Sequence, residues 1–210
     1  MVRIKICGIT SHDDACTAIA CGADALGFVF HGPSPRNLSP DVAADIISSL
    51  PPFVQTVGLF VNEKPAAVNR IADRCGLDVV QLHGEESPEE CAAVNRRVIK
   101  AFRVRDSSVL ENILYYPVAA CLLDAWSPVA HGGTGTTFNW DIAADAVRRG
   151  HRIILAGGLT PDNIAAAVQT VAPYGIDVSS GVETAPGIKD PTRIRDFIAR
   201  ARCTEAQCSI

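Results

Sequence analysis

The chain has 210 residues, 48% apolar and 20% charged, which suits one well-packed domain and argues against disorder. Its formal net charge of -4, without a long basic run, argues against nucleic acid or an anionic membrane as partner. No stretch approaches about 18 consecutive apolar residues and the N-terminus lacks a secretion signal, so a soluble, cytoplasmic protein is expected.

In chain order, short apolar runs rich in β-branched residues alternate with amphipathic stretches. VRIKIC (2–7) precedes a helical stretch at 13–20, ALGFVF (25–30) one at 41–50, and VQTVGLFV (54–61) one at 66–74. LDVVQL (77–82) leads into 88–95, RVIKAF (97–102) into 108–116, and AACLLD (119–124) into 141–149. RIILA (152–156) leads into 162–171, and GIDVS (175–179) into 192–201. The helix starts carry recognisable chemistry. Ser87 can cap, Pro88 suits the first helical position, and Glu90 can reach back to complete a capping box. Thr160-Pro161 and Asp190-Pro191 repeat the cap-then-proline signal before the last two helices.

Strands that alternate with helices imply right-handed βαβ units and a parallel sheet. One unit roughly every 26 residues matches a closed (β/α)8 TIM barrel, a fold of about 250 residues that tolerates about 200. A doubly wound open sheet is the structural alternative, but the first βα turn, CGITSH, lacks the G-x-G-x-x-G of a dinucleotide fold. The expectation is a single barrel over residues 1–210, with 201–210 a flexible tail. The eight cysteines form no C-x-x-C pair and have no H-x-x-x-H neighbour, so no metal site is expected. Most read as reduced core residues, with Cys203 and Cys208 in an exposed tail.

Active sites of such barrels gather at the C-terminal ends of the strands. Those ends carry Cys7-Gly8, the loop with Arg36, Asn62, Gln81-Leu82-His83-Gly84, Phe102-Arg103, Asp124, Gly157-Gly158 and Asp177 through Gly181. Each residue alone has a bland reading. Cys7 can be a small core hydrophobe, Asp124 can cap a turn, His83 can bond a carbonyl, and Arg36 can be solvated. Glycines of AGGL and of HGGTGTTF, Gly133 among them, can serve backbone turns. Position favours chemistry: Gly157-Gly158 and Ser180-Gly181 follow strands seven and eight, where barrels build phosphate sites from backbone N–H groups, and Gly133 is counted with them as a phosphate-binding candidate. A thiol and a carboxylate on different strands can act as base and acid across a small anionic sugar phosphate, and Arg36 can hold a carboxylate in a bidentate pair. Lys5, two residues from Cys7, either assists the thiolate or is an interior lysine paired with a carboxylate.

At KICGIT, GFVFHGPSPR, VGLFVN, VVQLHGEE, LLDAWSPVAHGGTGTTFNW, LAGGLTPDNI and DVSSGVETAPGIKD the chain resembles the phosphoribosylanthranilate isomerase family of tryptophan biosynthesis, over nearly its whole length. That resemblance implies a cofactor-free Amadori rearrangement of N-(5-phosphoribosyl)anthranilate. It implies Asp124 as the general acid on the ribose ring oxygen and Cys7 as the general base at sugar C2. It assigns Arg36 to the anthranilate carboxylate and Asp177 to sugar hydroxyls, with Gln81 and His83 lining the floor. A small phosphorylated substrate and a monomer or homodimer are therefore expected. Rival readings are a sister histidine-pathway isomerase, which would show a half-barrel repeat, a non-catalytic phosphate-binding barrel, and a redox-responsive protein.

Overall fold

The computed structural model describes residues 1–125 and 140–206. Eight parallel strands close into a barrel in sequential order: β1 (Arg3–Cys7), β2 (Ala25–Val29), β3 (Gln55–Phe60), β4 (Val79–Leu82), β5 (Arg97–Val104), β6 (Ala120–Ala125), β7 (Ile153–Leu155) and β8 (Gly175–Val178). Each coincides with one of the apolar runs. The helices between them are α1 (His12–Ala20), α2 (Pro40–Ser48), α3 (Pro65–Cys75), α4 (Pro88–Ala92), α5 (Val109–Ile113), α6 (Trp140–Arg148) and α7 (Ile164–Val171), and α8 (Pro191–Ala206) closes the chain.

Period-two alternation divides the strands between two cores. Outward residues such as Ile4, Ile6, Leu26, Phe28, Val80 and Leu123 pack under the helices. Inward residues Val57, Val79, Ile99, Ala120, Leu122 and Ile154 fill the lumen as a separate apolar cluster. Above that plug the lumen turns polar: Lys5, Gln81 and Asp177 are all buried. The site therefore rests on a packed apolar base.

Local chemistry explains where helices begin and end. The capping box forms as read: Ser87 accepts from Glu90 N at 3.3 Å, and Glu90 Oε2 accepts from Ser87 N at 2.8 Å. Asp190 caps α8 by accepting from the backbone of Thr192 and Arg193. Several boundaries differ from the sequence reading, and two have a cause in named hydrogen bonds. Helix α4 stops at Ala92 rather than 95 because the Asn69 amide of α3 donates to Ala93 O (3.1 Å) and accepts from Asn95 N (2.8 Å). Thr160-Pro161 opens a turn rather than α7: Asn163 Oδ1 accepts from Thr160 N at 2.8 Å, and the helix starts one residue later. The expected tail boundary at 201 falls inside α8, where Ala201 is buried. Between β8 and the last helix the sequence reading had no element, yet a 3-10 turn (Ser180–Val182) leads into a hairpin, β9 (Glu183–Ala185) and β10 (Ile188–Lys189). No helix among the described residues is long and apolar enough to cross a membrane.

Candidate active site

A cavity of about 560 Å³ opens at the C-terminal end of the barrel, lined by Cys7, Arg36, His83, Arg103, Asp124 and Asp177 together with Gly157, Gly158, Ser180 and Gly181. Residues far apart in the chain meet there because every parallel strand ends on that face. A hollow of about 700 Å³ adjoins it over β4 and β5 and shares His83 and Arg103, but neither Cys7 nor Asp124 lines it. The smaller cavity holds the chemistry.

On β1 the side chains of Lys5 and Cys7 both point inward. Lys5 Nζ donates to Asp177 Oδ1 at 2.9 Å across the β1–β8 ladder, where the two residues are register partners. The same ammonium faces the Cys7 sulfur. Both readings of Lys5 are therefore realised at once: it is an interior lysine paired with a carboxylate and a neighbour of the thiol. Room for them comes from Gly27 on β2, where a Cβ would lie 2.7 Å from Cys7 Sγ and 3.0 Å from Lys5 Nζ. Burial pushes the Cys7 thiol up, opposed by Lys5 and more weakly by Lys189, while Asp177 adds to the upward push. Burial also works against the Lys5 charge, but Asp177 and Cys7 overcome it and hold that ammonium above its ordinary range. Burial thus favours the neutral thiol while the adjacent ammonium favours the thiolate.

On the opposite wall, Gln81 Nε2 donates to His83 Nδ1 at 3.0 Å, which leaves the ring proton on His83 Nε2. Nε2 then donates to Asp124 Oδ2 at 3.2 Å. This chain of bonds fixes the rotamer of Asp124. His83 lines the cavity as expected, whereas Gln81 is fully buried behind it and does not. In this structure the Gln81 side chain meets the site through its hydrogen bond to His83.

Arg36 reaches the cavity by crossing the end of β1. Gly8 has φ +76, and a Cβ there would clash with the Arg36 stem. The guanidinium is half-buried and makes a two-point pair with Glu183, Nε at 2.8 Å and Nη2 at 2.6 Å. Glu183 was not among the candidates. A charged residue on each side of Pro186-Gly187 signals a hairpin with paired ends, and that signal could have found it.

Gly157 and Gly158 both adopt positive φ, 83 and 64. A Cβ on Gly181 would run into the Leu159 carbonyl, so the loops after β7 and β8 are in direct backbone contact. Ser180 and Gly181 begin the 3-10 turn and face the cavity. Gly133 and Cys208 lie outside the described residues. The described cysteines are free thiols; Cys75, Cys91 and Cys121 are buried like Cys7, and Cys203 is exposed as expected.

Residues 4–200 match the family model described as N-(5'phosphoribosyl)anthranilate (PRA) isomerase. An N-(5'-phosphoribosyl)anthranilate isomerase of Pelobacter propionicus is 64% identical over 207 residues, covering 99% of each chain. A crystal structure of phosphoribosyl anthranilate isomerase from Thermotoga maritima matches with a TM-score of 0.91 at 44% identity, covering 97% of this chain and 100% of that one. Another structure of such an isomerase, in complex with reduced 1-(o-carboxyphenylamino)-1-deoxyribulose 5-phosphate, matches with a TM-score of 0.88 at 41% identity, covering 97% and 100%.

Proposed function

The chain belongs to the N-(5'-phosphoribosyl)anthranilate isomerase family and carries out that isomerisation in tryptophan biosynthesis, and on that premise we propose how its residues do so. One observation carries the reading: Cys7 and Asp124 line the same cavity as the glycine loops after β7 and β8. Asp124 is the general acid. Its Oδ2 accepts from His83, so the transferable proton sits on Oδ1 and goes to the ribose ring oxygen as the C1–O bond breaks. The anilino nitrogen supplies the electron pair, giving an open-chain iminium.

Cys7 is the general base. The buried thiol releases its proton to solvent through the open cavity mouth as the positive iminium forms, because that charge together with Lys5 favours the thiolate. The thiolate takes the proton from C2, the C–H electrons form the C1=C2 bond, and the iminium charge is neutralised. The resulting enolamine tautomerises to the ketone without a cofactor. Arg36 receives the ring carboxylate on the N–H groups that Glu183 leaves unengaged, and Asp177 uses the oxygen not held by Lys5 for a sugar hydroxyl. Gly157, Gly158, Ser180 and Gly181 offer backbone N–H groups to the phosphate.

The test is turnover of enzymatically generated phosphoribosylanthranilate, followed by loss of its fluorescence. Inorganic phosphate or sulfate is expected to compete with substrate and to occupy the Gly158–Gly181 loops in a crystal. An anion found only at the opposite barrel mouth removes the phosphate assignment. At that mouth Phe53 (97% exposed) and the half-exposed Tyr174 border a hollow of about 310 Å³ that the Phe53 of a second copy could enter. A Thermotoga maritima relative is described as dimeric. Sedimentation of Phe53→Ala as a monomer, with the unaltered chain a dimer, supports that assembly. Free thiols on four buried cysteines suit a reducing compartment such as the cytoplasm.

A further inference from the structure

We propose that Glu183 is the positioning residue for Arg36, holding its guanidinium in the one orientation that presents an open N–H edge to the substrate carboxylate. The inference rests on the reading of Arg36 as the carboxylate anchor and extends it to a residue outside the cavity wall.

Glu183 sits on β9 with its side chain only 4% exposed, and it does not line the cavity. It binds Arg36 through Nε (2.8 Å) and Nη2 (2.6 Å), and Lys189 Nζ through Oε1 (2.8 Å). An arginine has five N–H donors, and this pairing uses one on Nε and one on Nη2. Both N–H groups of Nη1 and the second on Nη2 remain, which is the outer edge that a carboxylate takes in a bidentate pair. A two-point pair also fixes the plane of the guanidinium. A single contact would leave a long side chain free to rotate, and the substrate would have to supply the ordering free energy.

Glu183 is itself firmly held. Burial works against its charge, but Arg36 and Lys189 together keep the carboxyl below its ordinary range. Lys189 is completely enclosed, and its ammonium also donates to Cys7 O at 2.5 Å and Ser179 O at 3.3 Å. The Glu183 carbonyl accepts from Arg193 Nη1 of α8 at 2.6 Å, and Thr10 Oγ1 bonds Gly187 O of the hairpin turn at 2.6 Å. The β9–β10 hairpin thereby ties the anchor to the backbone of the base. Two cations on one carboxylate exceed what neutralising Glu183 requires. The surplus positive charge lies at the cavity wall, where an anionic substrate enters.

The test compares two ligands by calorimetry: the reduced product analogue and its phenylamino counterpart lacking the ring carboxylate. The ratio of their affinities measures carboxylate recognition alone. Arg36→Met should bring that ratio close to one; if it does not, the anchor reading itself fails. With Arg36 so established, Glu183→Gln should reduce the ratio about tenfold while affinity for the decarboxylated ligand stays within about threefold. The double variant Glu183→Gln/Lys189→Met keeps the buried charges balanced and should show the same loss. Equal weakening of both ligands, or an unchanged ratio, means Glu183 serves only the fold. A crystal of the unaltered protein with the reduced analogue decides independently of any variant's folding. Arg36 should keep both Glu183 bonds while its outer edge meets the carboxylate, and an arginine that has swung away from Glu183 overturns the proposal.

Discussion

Two buried lysine–glutamate pairs stand on opposite sides of the barrel rim. Lys100 and Glu86 meet at 3.1 Å beside β4 and β5, and Lys189 and Glu183 meet at 2.8 Å beyond β8, next to β1. The first pair is closed. Glu86 accepts from the backbone of Asn62 and Gly84, and Lys100 donates to the carbonyls of Leu82, Gly84 and Ala101. That capacity goes into fixing backbone, including the residues on either side of His83, the partner of the proposed acid Asp124. The second pair is open: its carboxylate accepts a third partner, Arg36, that faces the cavity. The same two residue types make a scaffold when backbone fills every valence and a recognition device when a side chain facing the cavity fills one.

Cutting the chemistry that each side supports should give the largest effects. Cys7→Ala on the open side and Asp124→Asn on the closed side should each lower kcat by roughly 10²–10⁴-fold, the usual contribution of one general acid or base. Both should remain folded, because neither change empties a large core site. Cys7→Ser should stay strongly impaired, since a serine hydroxyl ionises far less readily than a thiol. Near-normal turnover by Cys7→Ala would make this thiol a core residue and remove the proposed mechanism.

Next in size is the closed pair. Lys100→Met leaves Glu86 buried without its cation, and removal of one partner of such a pair costs about 3–5 kcal/mol. Chemical denaturation should show that loss, and Lys100→Met/Glu86→Gln should recover much of it. A single variant as stable as the unaltered chain means water reaches Glu86, and the contrast between the two pairs disappears. Arg36→Met, on the open side, should leave stability nearly unchanged and weaken kcat/KM by about 2–3 kcal/mol, the range for a hydrogen bond to a charged group. An unchanged affinity for the aromatic product would show that another group holds the carboxylate.

The two sides also differ in how readily the sequence disclosed them. The strands were legible because each apolar run is buried on both faces and bounded by helix-start chemistry, as at Ser87-Pro88. The meeting of Cys7 and Asp124 in one cavity was legible because both close strands of a parallel barrel, whose strand ends share one face; their proposed roles came from the family resemblance and not from the residues alone. The end of α4 was not, since it depends on Asn69 reaching across from another helix. The depth of Gln81 was not legible, because position on a strand end does not say which layer of the lumen a side chain occupies. Glu183 was hidden for a different reason: its partner Arg36 lies 147 residues away, and only the closed barrel brings the loops after β2 and β8 together.

The smallest predicted effect concerns the charge pair beside the base. Burial raises the Cys7 thiol, Lys5 lowers it and Asp177 raises it, so the two partners of one ion pair act on the sulfur with opposite sign. A nearby cation stabilises the thiolate relative to the thiol, and a nearby anion destabilises it. Lys5→Met removes the cation and leaves Asp177, so the thiol should ionise at higher pH. Asp177→Asn removes the anion and leaves Lys5, so it should ionise at lower pH. The two displacements should be opposite in sign, because the groups are close and shielded from solvent. The measurement is the pH dependence of Cys7 alkylation by iodoacetamide, read at that residue by mass spectrometry so that the other thiols do not contribute. Thiolate reacts and thiol does not, which makes the midpoint a direct report on the sulfur. Shifts in the same direction for both variants would mean that the cavity's solvation, rather than the Lys5–Asp177 pair, governs the base.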